Sequence, residues 1–195
     1  MKKILLATNN LHKVEEIKHF FASLPLEVHS LIDIPNGPKT IEDESTLEGN
    51  ALKKAREAFE VTGMLSLADD TGLEVFYLAM KPGVYSARYA GENATYKDNC
   101  DKLRRAMTGV APRRRKAQFR TVIAIVGKGI QRTVEGNVEG IIIEEPRGDQ
   151  GFGYDPLFMP KGFSRTYAEM SIEEKNKLSH RARALEKAVE VLKQI

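Results

Sequence analysis

Little in this sequence staples, anchors or links. One cysteine among 195 residues, Cys100, has no partner for an intrachain disulfide, which excludes a disulfide-built scaffold and points to a reducing, cytoplasmic setting. Cys100 itself reads as a small buried residue rather than a nucleophile. No apolar run approaches the ~20 residues of a membrane helix; Val122–Val126 is among the longest. The basic start Lys2-Lys3 with Ile4–Ala7 has the outline of a leader, but the run stops at Thr8-Asn9-Asn10, too soon for a signal segment. Charge of either sign is not in excess: 30 Lys and Arg face 27 Asp and Glu, a net +3 that demands no polyanionic partner. There is no low-complexity tract, no repeat and no Pro/Gly/Ser linker, so one domain over 1–195 is expected. What is present is a globular balance of 42% hydrophobic and 29% charged residues.

Ile4–Ala7 is continuously apolar and predicts a strand buried on both faces. Val14, Ile17, Phe21 and Leu24 then repeat at helical spacing after the Thr8–Asn10 turn. A second helix is expected over Glu48–Phe59, ended by Gly63. Leu65–Ala68 and Leu73–Phe76 predict two short strands around Asp69-Asp70-Thr71-Gly72, placing two adjacent carboxylates at a strand end or tight turn. Thr95 and Asp98 form a capping box for a third helix through Cys100, Leu103 and Met107. Phe119–Val126 predicts an interior strand, Gly127-Lys128-Gly129 a turn, and strands follow from Gln131 and over Ile141–Ile143. Ser171 and Glu174 form another capping box ahead of Leu178, Ala182, Leu185, Val189 and Leu192. Strands and helices intermix throughout, so the class is α/β or α+β with a mixed sheet.

Four clusters carry chemistry. Thr8-Asn9-Asn10 with Lys13 lies at a helix start, where backbone N–H groups and a lysine suit an anion; equally, Asn9 or Asn10 caps the helix and Lys13 is solvated. Glu42, Asp43, Glu44 and Glu48, with Lys53, Lys54 and Asp69-Asp70, offer carboxylate oxygens for a hard cation such as Mg²⁺, or an acidic surface turn. Gly151-Phe152-Gly153-Tyr154-Asp155-Pro156 lacks the third glycine of a dinucleotide fingerprint; it either lets an aromatic stack on a flat base or is a glycine-rich turn with core aromatics. Lys175 and Ser179-His180-Arg181 supply donors on the last helical stretch. Arg113-Arg114-Arg115-Lys116 is the strongest basic run and reads as a solvated loop; its rival reading is a nucleic-acid-binding module. No phosphate-binding loop, zinc spacing or serine-hydrolase elbow is present.

In order and content these clusters resemble the inosine triphosphate pyrophosphatase family. The likeness runs from Ile4 to Leu192. It rests on Thr8-Asn9-Asn10-x-x-Lys13, Asn50-Ala51-x-x-Lys54-Ala55, Ala68-Asp69-Asp70-Thr71-Gly72-Leu73, Tyr85-Ser86-Ala87-Arg88-Tyr89, Phe152-Gly153-Tyr154-Asp155-Pro156 and Ser179-His180-Arg181. The resemblance implies a single elongated, two-lobed α/β domain with a long mixed sheet flanked by helices and the active site in the cleft between lobes. It implies a homodimer and Mg²⁺-dependent hydrolysis of ITP, dITP and XTP to the monophosphate and pyrophosphate, cleansing the nucleotide pool. Thr8, Asn9, Asn10, Lys13 and Lys54 then match the triphosphate contacts, and Asp70 and Lys54 the catalytic pair. Glu42 and Asp70 match the metal-binding positions, with Asp69 supporting them and Glu44 and Glu48 as competitors of Glu42. Thr71, Phe152, Gly153, Tyr154, Asp155, Lys175, His180 and Arg181 match substrate contacts, Phe152 stacking on the base. No membrane and no stable nucleic-acid partner is implied. A related enzyme preferring modified pyrimidine or ordinary triphosphates is the neighbouring reading.

Overall fold

The computed structural model describes residues 2–195; Met1, the first residue of the leader-like start, lies outside the described residues. The elements run β1 (Lys2–Leu6), α1 (Leu11–Phe21), β2 (Leu26–Ser30), α2 (Leu47–Thr62), β3 (Ser66–Val75), β4 (Lys81–Gly83), α3 (Tyr96–Ala106), β5 (Lys116–Gly127), β6 (Ile130–Ile142), β7 (Phe158–Pro160), α4 (Ile172–Lys175) and α5 (His180–Lys193). The sheet order is β2-β1-β3-β5-β6-β7, with β4 on β3. β1 is parallel to β2 and β3, whereas β4 is antiparallel to β3 and β7 to β6, so this is an α/β chain with a mixed sheet. Among the described residues no helix is long and apolar enough to cross a membrane.

The local signals act as expected at several ends. Asn10 caps α1 by accepting from the His12 and Lys13 amides, Thr95 and Asp98 close a capping box on α3, and α2 stops at Gly63 in the left-handed conformation. Three expectations need correction. Asp69–Gly72 is not a turn: β3 runs through it unbroken, because cations neutralise both aspartates inside the sheet. The separate strands expected from Gln131 and over Ile141–Ile143 are one strand, β6; its Gly140 pairs with Pro160, and a Cβ there would lie 2.4 Å from the Met159 carbonyl oxygen, so close approach of β7 demands glycine. The C-terminal stripe is not one helix. Leu178 packs on one hydrophobic core and Leu185 and Leu192 belong to another, so the chain breaks between Lys175 and His180.

The chain divides into two compact units. Unit 1 takes the described residues up to Asp70, Thr121–Gly136 and Arg181–Ile195. Its core joins Ile4, Leu6 and Leu67 with Val14, Ile17 and Phe21 of α1, Ile123 and Ile125 of β5, and Ala184, Leu185, Ala188 and Leu192 of α5. Unit 2 takes Thr71–Arg120 and Asn137–His180, with a core built on Leu73, Val75, Leu103, Met107, Phe119, Ile142, Leu157, Phe158 and Tyr167.

The basic run beside β5 is only partly the solvated loop its sequence suggests. Arg113, Arg114 and Lys116 are exposed, Arg114 lying 4.5 Å above the Tyr77 ring, but Arg115 is buried. Its guanidinium donates to the carbonyls of Ile142 (2.6 Å), Met107 (3.0 Å) and Ile143 (3.1 Å), tying the end of α3 to β6. A fork of donors fits this and an ammonium does not. Arg115→Lys should therefore destabilise by about 3 kcal/mol through unsatisfied buried carbonyls, measured as a lower denaturant midpoint at unchanged m; a shift below ~0.5 kcal/mol contradicts the role.

Cys100 is buried on α3, as expected, and its thiol donates to the Gly153 carbonyl at 3.3 Å. Burial, with Asp101 and Asp155 nearby, pushes the thiol up to about 11. A pKa raised this far leaves roughly one thiol in a thousand ionised at pH 8. Iodoacetamide at pH 8 should therefore label the native protein far more slowly than the denatured chain, and mass spectrometry of the labelled peptide checks this.

Candidate active site

In unit 1, β3 carries adjacent aspartates, and neighbouring residues of a strand point to opposite faces. Asp69 is fully enclosed: Lys13 Nζ lies 3.1 Å from its Oδ1 and Arg181 Nε 3.2 Å from its Oδ2. Burial alone would raise its pKa, but Lys13, then Arg181 and Lys54, outweigh this and hold it well below the usual carboxylate range. Arg181 also grips the buried Glu16 of α1. Lys13, Asp69, Arg181 and Glu16 thus form a charge-balanced set that fixes α1 and α5 to β3.

Asp70 belongs to a second set. Lys54 of α2 places its ammonium 2.9 Å from Asp70 Oδ1, 2.8 Å from Glu42 Oε1 and 2.8 Å from the Asp69 carbonyl oxygen. Asn50, one turn earlier on α2, donates to the other Asp70 oxygen at 3.4 Å. Burial raises the pKa of Asp70 despite the attraction of Lys54, whereas burial would lower Lys54 but Asp70 and Glu42 outweigh it and keep it charged. Two hard carboxylates meet on the Lys54 ammonium, and a divalent cation of the Mg²⁺ type takes one or two carboxylates with substrate phosphates and water. Glu42 and Asp70 fit that demand.

Both oxygens of Asp69, the residue expected to support the metal, face cations: Lys13 on one side and Arg181 on the other. Among the described residues no group of three His, Cys, Asp or Glu side chains gathers as metal ligands, so the expected trio of Glu42, Asp69 and Asp70 does not assemble. Of the rivals to Glu42, Glu44 is exposed and Glu48 accepts from the Thr133 hydroxyl at 3.0 Å. At the start of α1, Thr8 accepts from the Asn10 amide at 3.2 Å, Asn10 is committed to the helix cap and Asn9 is exposed. Capping is thus one use of this turn, while Lys13, expected in solvent on that reading, is drawn inward to Asp69; burial lowers its pKa.

In unit 2, the Gly151–Pro156 loop is held from several directions. Asp155 accepts from the Phe152 amide at 2.9 Å and from Lys175 Nζ at 2.8 Å, both side chains of that ion pair being buried. Gly151 has φ +72, and a Cβ there would sit 2.1 Å from Asp155 Oδ2, so only glycine admits this carboxylate. Tyr154 is buried and donates its hydroxyl to the Ser86 carbonyl at 2.9 Å; burial keeps the phenol neutral. Lys175 also lies 5.4 Å above the Phe152 ring. His180 is buried and stacks on Phe119, centroids 4.5 Å apart at 11°. Thr71 is half-buried on β3.

The sequence reading therefore gathered most of these residues but assigned some of them contacts of a different kind. Arg181, expected at the edge of a base, has its guanidinium buried between Glu16 and Asp69. Tyr154, Asp155 and Lys175 were expected to meet substrate; the Tyr154 hydroxyl donates to the Ser86 carbonyl, and Asp155 accepts from the Phe152 amide and from Lys175. Three residues escaped that reading: Glu16, Asn50 as a side-chain donor, and Tyr96, whose ring meets Phe152. Glu16 had a signal, since it lies three residues after Lys13 on the same helix face.

Comparison with known proteins adds an independent line. The family model described as the Ham1 family matches residues 4–191. The dITP/XTP pyrophosphatase of Thermoanaerobacter pseudethanolicus is 50% identical over 185 residues, covering 95% of this chain and 93% of that one. The dITP/XTP pyrophosphatase of Bacillus licheniformis is 48% identical over 195 residues, covering both chains completely. The solved structure of a HAM1 protein from Coxiella burnetii superposes with a TM-score of 0.89 at 38% identity, covering 100% of each chain. On sequence and fold together, this chain belongs to the Ham1 family.

Proposed function

We propose that this chain is a nucleoside triphosphate pyrophosphatase that hydrolyses ITP, dITP and XTP to the monophosphate and pyrophosphate, clearing deaminated purines from the cytoplasmic nucleotide pool. The observation that carries the reading is the meeting of Glu42 and Asp70 on the Lys54 ammonium, in a chain half identical to relatives named dITP/XTP pyrophosphatase. The working form is a homodimer of 1–195 chains, each a single domain that includes both units.

Glu42 and Asp70 would hold Mg²⁺, which when bound supplies charge neutralisation on the phosphates and acidifies water. Asp70 accepts the proton of the attacking water. Lys54 stabilises the phosphates as a fixed cation, held in place before substrate arrives by the Asp69 carbonyl. Lys13, with Thr8, Asn9 and Asn10, meets the triphosphate. Asp69 keeps Lys13 and Arg181 in register instead of binding metal. Phe152 stacks on the base, with Thr71, Gly153, Tyr154, Asp155, Lys175 and His180 shaping or lining that contact. Hypoxanthine and xanthine present a keto oxygen where adenine presents an amino group, so donors such as Arg181 or backbone N–H groups favour the former.

The test incubates purified protein with ITP, dITP, XTP, GTP, ATP and dTTP, with Mg²⁺ or chelator. Monophosphate and pyrophosphate from ITP, dITP and XTP, abolished by chelator, is expected; inorganic phosphate, equal use of ATP, or a preference for dTTP contradicts the reading. Asp70→Asn should cut kcat about 10²–10⁴-fold with substrate still bound, and near-normal turnover removes Asp70 as the base. Arg181→Ala should narrow the ITP-to-ATP preference in kcat/KM and lower Tm, because Glu16 and Asp69 lose their shared cation. An unchanged preference assigns base reading to the backbone.

A further inference from the structure

The residue that the function leaves unused, Tyr96, lies against the ring the function depends on. It is the first residue of α3, directly after the Thr95 cap, and it is 41% exposed. Its ring centroid is 5.8 Å from that of Phe152, with the planes at 42°. One turn along α3, Cys100 donates its thiol to the Gly153 carbonyl at 3.3 Å. Residues at i and i+4 share a helix face. The same face of α3 therefore touches two consecutive residues of the Gly151–Pro156 loop, one contact through a ring and one through the backbone.

We infer that Tyr96 is a positioning residue for Phe152, setting the tilt of the ring on which the base stacks. This rests on the proposed nucleotide reading and deepens it. Phe152 is only half-buried, and two further contacts fix different degrees of freedom: Asp155 holds its amide, and Lys175 lies over its ring at 5.4 Å. An ammonium attracted to a ring face is indifferent to rotation of the ring in its own plane and tolerant of tilt, whereas a neighbouring ring restrains tilt. The capping box makes the placement firm: Thr95 and Asp98 lock the first turn of α3, so the Tyr96 backbone does not fray away from the loop.

The test measures steady-state pyrophosphate release from dITP and ATP with Mg²⁺ for the wild type, Tyr96→Phe and Tyr96→Ala, with inorganic tripolyphosphate, which has no base, as a competitive inhibitor. Tyr96→Ala should raise KM for dITP about fivefold, the size of one aromatic pair, with kcat within about twofold and the tripolyphosphate Ki unchanged; Tyr96→Phe should restore the wild-type KM. An unchanged KM in Tyr96→Ala, a matching rise in Ki, or an equal loss in Tyr96→Phe overturns the inference while leaving the nucleotide reading intact. A wild type that releases no pyrophosphate from any purine triphosphate overturns both. If Tyr96→Ala does not fold by circular dichroism, Tyr96→Gln, which keeps a side chain suited to the helix, takes its place with the same expected outcomes.

Discussion

Two adjacent aspartates in the middle of a buried strand set the terms for unit 1. An isolated carboxylate inside a protein is strongly disfavoured, and two side by side in a sheet survive only if each is answered by its own cations. Strand alternation sends Asp69 and Asp70 to opposite faces, so the answers come from different elements. Lys13 of α1 and Arg181 of α5 meet Asp69, and Lys54 of α2 meets Asp70. Three helices are thereby registered against one strand by charge as well as by the apolar core they share.

The two sets differ in their balance. Around Asp69, Lys13 and Arg181 face the carboxylates of Asp69 and Glu16, two cations to two anions. Around Asp70, one ammonium serves two carboxylates. Asn50 and the Asp69 carbonyl fix the geometry of that set. A preorganised arrangement of this kind needs no rearrangement when substrate charge arrives, which is where electrostatic catalysis gains most.

Unit 2 solves a different problem, the holding of a glycine-rich loop without making it a blunt, filled turn. The loop is fastened through groups that leave the Phe152 ring half-buried: the Asp155 carboxylate beneath its amide, the Tyr154 hydroxyl on Ser86, the Cys100 thiol on Gly153. Supporting residues of this sort are conspicuous in sequence as a motif, but their individual work is invisible there. Tyr154 and Asp155 look like ligand contacts in a motif and are found fastening the loop, Tyr154 to Ser86 and Asp155 to the Phe152 amide.

Much was legible from the chain alone because it depends on near neighbours. The Asn10, Thr95 and Ser171 caps, the α1 stripe, the Gly63 stop and the hairpin turn at Gly127–Gly129 are governed by interactions a few residues apart, and sequence spacing encodes those directly. Motif order carried the family in the same way. What sequence could not decide were the cases where partners lie far apart along the chain. Asp69-Asp70 read as a strand end or a turn, metal site or acidic surface alike, because the cations that let it continue a buried strand sit at positions 13, 54 and 181. Arg115 looked solvated because its carbonyl partners lie on β6 and the end of α3. Glu42 and Glu44 were equivalent by composition, and only the approach of Lys54 distinguishes them. Charge burial is the physical reason throughout: spacing reveals which groups carry charge, but whether a charge can be buried depends on partners that only the folded chain brings within 3 Å.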